Sequence, residues 1–179
     1  RLADAGLVER LPRRGARVAT LTEKELTELS TLRVLLEQFV VARVQERLTP
    51  ELVAELRAQV AAMRAAAAAG DVQRLLDLDQ QFHELLWRHA DHDLLSEFAG
   101  QLRRRITAFL RAATAALGAD ELERHAAAHE QLIEAIAGGD AAVARAAMTR
   151  HVETAAARLR RSAGAVAGST AAAASGGAR

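Results

Sequence analysis

The sequence contains no cysteine and no tyrosine, and its 179 residues include only two prolines. Without cysteine the chain has neither disulfides nor thiolate metal ligands, and nothing suggests export to an oxidising compartment. No signal peptide and no apolar run of membrane-spanning length is evident. The formal net charge of only +1 provides no general attraction to nucleic acid or to a membrane surface. We therefore expect a soluble cytoplasmic protein without a membrane partner.

Alanine dominates the apolar half of the composition, whereas the aromatic residues are limited to four Phe and one Trp. Because alanine has the strongest helix propensity, this composition favours close-packed helices over a sheet. Helix starts are predicted at the capping box Thr22–Glu25, at Thr49–Pro50 and at Asp71. The sequence therefore predicts an all-α fold, an antiparallel bundle of about six helices over residues 22–162. In the first helix the predicted core row is Leu29, Leu32, Leu36 and Phe39.

Two segments flank the predicted bundle. Residues 1–20 are typical of a helix end closed by Gly6, followed by two short strands around a turn at 12–15. Residues 163–179 are rich in Ala, Gly and Ser without periodicity, which predicts a disordered tail. Because the chain begins at Arg1, within an apparent helix, we expect it to be a fragment that has lost N-terminal sequence.

One carboxylate and three histidines suggest a metal site. Asp79 and His83 are four residues apart and so share one face of a helix. His129 and His151 flank the turn at 138–140 almost symmetrically, so in an antiparallel hairpin both lie roughly 15 Å from that turn. All four occur in otherwise apolar rows, where they would be costly to bury without partners. A shared divalent ion (zinc, nickel, iron or manganese) would supply that partner, and an internal hydrogen-bond network is the alternative.

Enzymatic motifs are largely missing. The segment from His83 begins like a zinc-peptidase helix, but Trp87 occupies the position of the second histidine. There is no nucleophile elbow and no glycine-rich phosphate loop. His125, one turn before His129, is expected to lie next to the metal site and not to be a ligand. We predict that the protein is not an enzyme, with a helical metalloenzyme and a metal-free dimerisation module as alternatives.

The order of these segments resembles the GntR family of bacterial transcription regulators, specifically the FadR-like branch with an FCD ligand-binding domain. Residues 1–18 resemble the end of that family's recognition helix and its wing, and residues 28–37 resemble the first FCD helix. Residues 76–83, 129–140 and 147–151 match the signature of the domain in order and spacing. One departure is His92, where the family often has Asn before the fourth helix, and this puts a polar role for that position in doubt.

The resemblance implies an effector-binding helical domain that holds a divalent metal through the residues matching Asp79, His83, His129 and His151. It further implies a homodimer in which a small carboxylate effector binds on or beside the metal and alters binding to operator DNA. We expect Arg33 and Arg105 to be candidates for contacting that carboxylate. In the wing, the residues expected to contact DNA are Arg13, Arg14, Gly15 and Arg17. The residues that would read the operator sequence precede Arg1.

Overall fold

A computed structural model describes the backbone of residues 8–11, 15–18, 22–115 and 117–175, and the side chains of residues 22–161 except 108, 112, 115 and 116. Within these residues the chain forms a two-stranded hairpin followed by six helices. The elements are β1 (Val8–Leu11), β2 (Gly15–Val18), α1 (Glu23–Glu46), α2 (Pro50–Ala68), α3 (Val72–His89), α4 (Asp93–Ala115), α5 (Ala119–Ala137) and α6 (Ala141–Ser175). The predicted all-α bundle preceded by a hairpin is confirmed. No helix in this part of the chain is long and apolar enough to cross a membrane.

The hairpin pairs β1 with β2 in antiparallel register, with Val8 opposite Val18 and Leu11 opposite Gly15. Gly15 and Arg17 of the expected DNA contacts lie in β2. Arg13, Arg14 and the expected helix end at residues 1–6 lie outside the described residues. The assignment of this hairpin to a wing therefore stays a prediction.

Helix starts follow from local side-chain chemistry. Thr22 forms the predicted capping box with Glu25, since the Thr22 hydroxyl accepts from the Glu25 backbone N–H and the Glu25 carboxylate accepts from the Thr22 backbone N–H. Thr49 and Asp71 cap α2 and α3 by accepting from the backbone N–H groups of Leu52 and Arg74, without a reciprocal bond, and Pro50 lies in the first turn of α2. At the start of α4, the Nδ1 atom of His92 accepts a hydrogen bond from the backbone N–H of Leu95 at 3.2 Å. A polar capping role is therefore kept at the position where the family often has Asn.

The prediction for the first helix was wrong about which face is buried. α1 lies along α6 and also contacts α3, α4 and α5. It buries the row Leu26, Leu29, Arg33, Glu37, Val40, Val41 and Val44. Leu32 and Phe39 are instead 53% and 47% exposed. From Leu29, helical spacing allows a row through Leu32 or a row through Arg33, and the position of the neighbouring helices decides which of the two is buried.

A large apolar core surrounds the polar residues of the bundle interior. Its largest fully buried side chains include Phe82, Leu56, Met63, Leu132 and Met148. Each such side chain contributes about 1.5–3 kcal/mol on burial, which offsets the cost of burying charged groups nearby. A smaller apolar cluster joins α1, α4 and α6 through residues such as Leu29, Ile106 and Leu159.

At the C-terminus the structure differs from the expected disordered tail, because α6 continues to Ser175. The extension is rich in alanine, and it elongates an existing helix without a new nucleation step. Residues 176–179 lie outside the described residues.

Candidate metal centre

The structure brings together the four residues predicted to hold a metal. Asp79 and His83 lie on α3, His129 on α5 and His151 on α6. Each offers one ligand atom, and these atoms all lie within 4.8 Å of one another. The rings of His129 and His151 have centroids 4.5 Å apart, so the two histidines do meet across the hairpin of α5 and α6. Three of the four are buried, and His151 is half-buried.

His129 carries an unpartnered nitrogen in this cluster. Its Nδ1 atom lies 2.9 Å from the backbone carbonyl oxygen of His125, and because a carbonyl only accepts, Nδ1 must donate. In the neutral ring this leaves a lone pair on Nε2. That atom is buried without a hydrogen-bond partner, although it lies 3.0 Å from Oδ1 of Asp79. Two lone pairs facing each other at this distance repel, and a cation shared by both atoms would remove the repulsion.

His83 and His151 converge through the same kind of atom, since their Nε2 atoms are 3.3 Å apart. The Nδ1 atom of His83 faces Oε1 of Glu37 at 3.3 Å, and a carboxylate there favours the proton on Nδ1. Burial lowers the pKa of His83 to about 4, against the opposing influence of Glu37. Burial, followed by the charges of His129 and His83, lowers the pKa of His151 well below its usual value. Both rings are therefore neutral at pH 7, the form that binds metals.

Asp79 supplies the anionic ligand atom of the cluster. Burial would raise the pKa of Asp79, but the charge of Arg103 and the adjacent ring of His125 hold it well below its usual value. Its Oδ2 atom accepts a hydrogen bond from Nη2 of Arg103. His125 lies beside the cluster with its Nε2 atom 3.3 Å from Oδ1 of Asp79, and it is not among the four converging residues. This agrees with the expectation that His125 is a neighbour of the site.

Glu37 is a buried acid at this site that the sequence analysis missed. Trp87 donates its indole N–H to Oε2 of Glu37 at 3.1 Å, and Nε of Arg33 lies 3.6 Å from Oε1. Burial alone would raise the pKa of Glu37, yet interactions with His83, Arg33 and Trp87 lower it to about 2. The spacing of Arg33 and Glu37, four residues apart in line with Leu29 and Val40, was the signal that could have identified it.

Of the two arginines expected near the effector, the structure brings only Arg33 to the cluster. Arg33 is 5% exposed, and its Nη2 atom lies 3.3 Å from Nε2 of His83. Arg105 is exposed and lies on another face of α4, whereas Arg103 is buried against Asp79. Two residues correspond to a rotation of roughly 200° around a helix, so Arg103 and Arg105 cannot share a face. Arg103 replaces Arg105 as the buried cation contributed by α4.

A cleft between α5 and α6 reaches the cluster from outside. It encloses about 170 Å³ and is lined by both His125 and His151. Arg158 lies at its inner side, where its Nη1 atom donates to Nδ1 of His125 at 2.8 Å. A small ligand in this cleft would therefore lie next to a candidate metal ligand.

Comparison with known proteins agrees with the fold. The family model described as the FCD domain matches residues 28–154, more than half of the chain. The HTH-type transcriptional regulator McbR of Escherichia coli is 25% identical over 140 residues, 78% of this chain and 63% of that protein. The gluconate operon transcriptional repressor of Bacillus subtilis is 32% identical over 101 residues, 56% of this chain and 42% of that protein. The chain thus spans less than two thirds of the length of both relatives.

Solved structures show the same architecture. E. coli McbR matches with a TM-score of 0.79 at 23% identity, covering 89% of this chain and 80% of that one. A metal-free FCD domain of a transcriptional regulator matches with a TM-score of 0.65 at 19% identity, covering 80% of this chain and 97% of that one. Identities this low establish the fold alone. Together with the family-model match, they show that the chain belongs to the FCD domain family, and the resemblance to GntR-type regulators that carry this domain is confirmed.

Proposed function

We propose that this chain is the sensor part of a DNA-binding transcription regulator, in which the helical domain binds a divalent metal and a small carboxylate effector. The metal ligands are Asp79, His83, His129 and His151. The observation that carries this proposal is the buried Nε2 atom of His129, which faces Oδ1 of Asp79 at 3.0 Å without a hydrogen-bond partner.

The donor set of three imidazole nitrogens and one carboxylate oxygen fits zinc, nickel, manganese or iron. When bound, such an ion would supply a Lewis-acidic point to which a carboxylate can bind. Of the surrounding residues, Glu37 orients His83, and Arg103 neutralises the second oxygen of Asp79. Arg33 lies where it can pair with the carboxylate of a bound effector.

Operator DNA is the proposed partner of the whole protein. The relatives from E. coli and B. subtilis are transcription regulators by name, and α1 follows the hairpin after the short connection 19–22. Arg13, Arg14 and Arg17 would supply charge for phosphate contacts, and Gly15, the first residue of β2, would approach the DNA beside them. Because α1 also carries Arg33 and Glu37, a ligand that moves these side chains acts on the helix connected to the wing. Such a differential contact is what effector control of DNA binding requires.

A second copy of the chain is the proposed partner of the exposed apolar surface formed by α1 and α4. This surface, here called the α1–α4 face, comprises Leu32, Leu35, Phe39, Leu94 and Phe98, each between 47% and 64% exposed. The ring of Phe39 contacts His92 just before α4, which makes the face continuous between the two helices. Monomeric proteins rarely expose a large contiguous apolar patch. A two-fold axis through this face would pair identical surfaces.

A metal-free buried network is the alternative favoured by a specific observation. Arg33 donates to His83 and Arg103 donates to Asp79, so two guanidinium groups already supply positive charge to the cluster. A solved FCD domain described as metal-free is also similar in fold. In this alternative the arginines, and not a metal ion, compensate the buried acids.

Elemental analysis of the purified chain distinguishes the metal site from the metal-free buried network. We expect about one transition-metal ion per chain, as a single four-ligand site implies, and little metal in a His129→Ala/His151→Ala double variant. The matched control is His89→Ala, because among the described residues His89 is hydrogen-bonded only within its own helix, to the carbonyl oxygen of Leu85. A wild-type chain that neither carries metal nor takes up zinc, nickel, manganese or iron would establish the buried network instead.

A further inference from the structure

We propose that the cleft between α5 and α6 selects a short dianion, meaning a small organic acid with a second anionic group at its far end. This inference rests on the proposed function, since it concerns the effector that would bind beside the metal. The second group can be a carboxylate or a phosphate, and both share the chemistry that the cleft offers.

The cleft has room for only a small molecule. Its volume of about 170 Å³ lies well below the roughly 300–1,000 Å³ of pockets that hold drug-sized ligands. His151, one of the candidate metal ligands, forms part of its wall. Among the described lining residues it is the only one of the four candidate ligands, so one end of a ligand in the cleft would lie beside His151 while the other end stays near the surface.

The charge of the lining exceeds what one carboxylate can neutralise. Three arginines (Arg124, Arg158 and Arg161) line the cleft, against the single acid Glu121. Within the described side chains, none of the three arginines forms an ion pair with a carboxylate at 4.0 Å or less. The neighbouring Arg160, in contrast, pairs with Glu23 at 2.8 Å. Two positive charges thus remain in excess in the lining, and they can pair with an anionic group beyond the one beside the metal.

These arginines are arranged at two depths. Arg158 lies at the inner side, where it donates to His125, and its buried Nε atom has no hydrogen-bond partner. His125 in turn faces Asp79, so Arg158 connects the cleft to the metal cluster. Arg124 and Arg161 are exposed and form the rim. The inner and outer charges suit the two ends of one ligand, because bidentate pairing with arginine favours carboxylate and phosphate groups.

Neutral hydroxyl groups of a ligand would gain less from this cleft than a second anionic group would. Thr154 carries the only side-chain hydroxyl among the described lining residues, and it already donates to the carbonyl oxygen of Arg150 at 2.7 Å. A ligand hydroxyl would have to hydrogen-bond to the same arginines or to Glu121, without the charge pairing that an anionic group gains there. The cleft therefore favours a second anionic group over a polyhydroxylated chain.

Calorimetric titration of the metal-loaded chain with matched ligand pairs tests the proposal. Succinate is compared with butyrate, and 3-phosphoglycerate with glycerate, so that each pair differs by one anionic group; the second carboxylate adds one negative charge and the phosphate adds about 1.5–2 at pH 7. We expect the dianion of at least one pair to bind about tenfold more tightly or better. The pair that shows this preference identifies the second group as carboxylate or phosphate. Equal affinity within both pairs would overturn the proposal and would leave binding of a carboxylate at the metal intact.

Substitutions of the two rim arginines test independently whether they cause the preference for a dianion. Arg124→Gln/Arg161→Gln should remove most of the dianion preference and leave butyrate or glycerate affinity and metal content unchanged. Arg160→Gln is the control, since Arg160 points to Glu23. If the double variant keeps the preference for the dianion, Arg124 and Arg161 do not bind the second anionic group. If the dianion instead binds equally well to the His129→Ala/His151→Ala variant, the cleft selects dianions as proposed and the metal is not the docking point.

Discussion

Oε1 of Glu37 lies 3.3 Å from Nδ1 of His83, so a buried carboxylate on α1 faces the ring nitrogen that points away from the metal cluster. Metal-binding histidines commonly have such a partner, which fixes the tautomer and raises the basicity of the ligating nitrogen. The indole of Trp87 holds Glu37 from the other side. The contact therefore links the helix that follows the hairpin to the candidate metal site.

Replacing Glu37 with glutamine should weaken metal binding without unfolding the protein. Gln keeps an oxygen that can accept from Trp87, but it removes the charge that favours the proton on Nδ1 of His83. We expect the zinc affinity to fall by about 10–100-fold, the range observed when such partners are removed. Competition with a chromophoric chelator measures the affinity. Glu28→Gln, an exposed acid on the same helix, should leave it unchanged, and an unchanged affinity of Glu37→Gln would refute the positioning role.

Acidification should destabilise the chelator-treated protein. Burial lowers the pKa of His83 from 6.5 to about 4, so between these values the unfolded chain binds a proton that the folded chain does not. Stability therefore falls as the pH falls through this window. Glu37 continues this loss of stability at lower pH. Its pKa is lowered from 4.5 to about 2, so its stabilising contribution is lost as the pH falls from 4.5 to about 2.

Urea unfolding at pH 7, 5.5 and 4 measures this dependence. One pKa unit corresponds to about 1.4 kcal/mol, so the free energy of unfolding should decrease by an amount on the order of a few kcal/mol. His83→Gln should flatten the decrease between pH 6.5 and 4, whereas His89→Gln should not. A free energy of unfolding that stays constant down to pH 4 in the wild type would contradict the neutral, buried state of His83.

Charges introduced into the α1–α4 face should separate the proposed dimer. Leu35 and Phe98 are 64% and 57% exposed, so arginine at either position is tolerated by the folded monomer but is costly within an apolar interface. Sedimentation velocity should show a dimer for the wild type and a monomer for Leu35→Arg and Phe98→Arg, with the helical circular dichroism signal unchanged. Val143→Arg is the control, because Val143 is 50% exposed and lies on α6, which contributes no residue to this face. A monomeric wild type, or variants that remain dimeric, would rule out the face as the dimer interface.

Features with a short-range cause were predictable from the sequence. The capping box at Thr22 and the caps at Thr49 and Asp71 are formed by residues three positions apart, so the pattern alone specifies them. The convergence of His129 and His151 was also predictable, because an antiparallel hairpin with a short turn fixes which positions face each other. Asp79 and His83 follow from helical spacing in the same way.

Only the tertiary structure decided which face of α1 is buried, which arginines reach the site and where a ligand can enter. Arg33 and Glu37 are tolerated inside because His83, Trp87 and the neighbouring helices supply partners that are distant in sequence. The choice of Arg103 over Arg105 depends on the rotation of α4 about its axis, which packing against the other helices sets. The sequence by itself thus determined the helices and the register of the four candidate ligands, since both arise from local spacing. The charged surroundings of those ligands required the assembled bundle, because the free energy of a buried charge depends on all the groups packed around it.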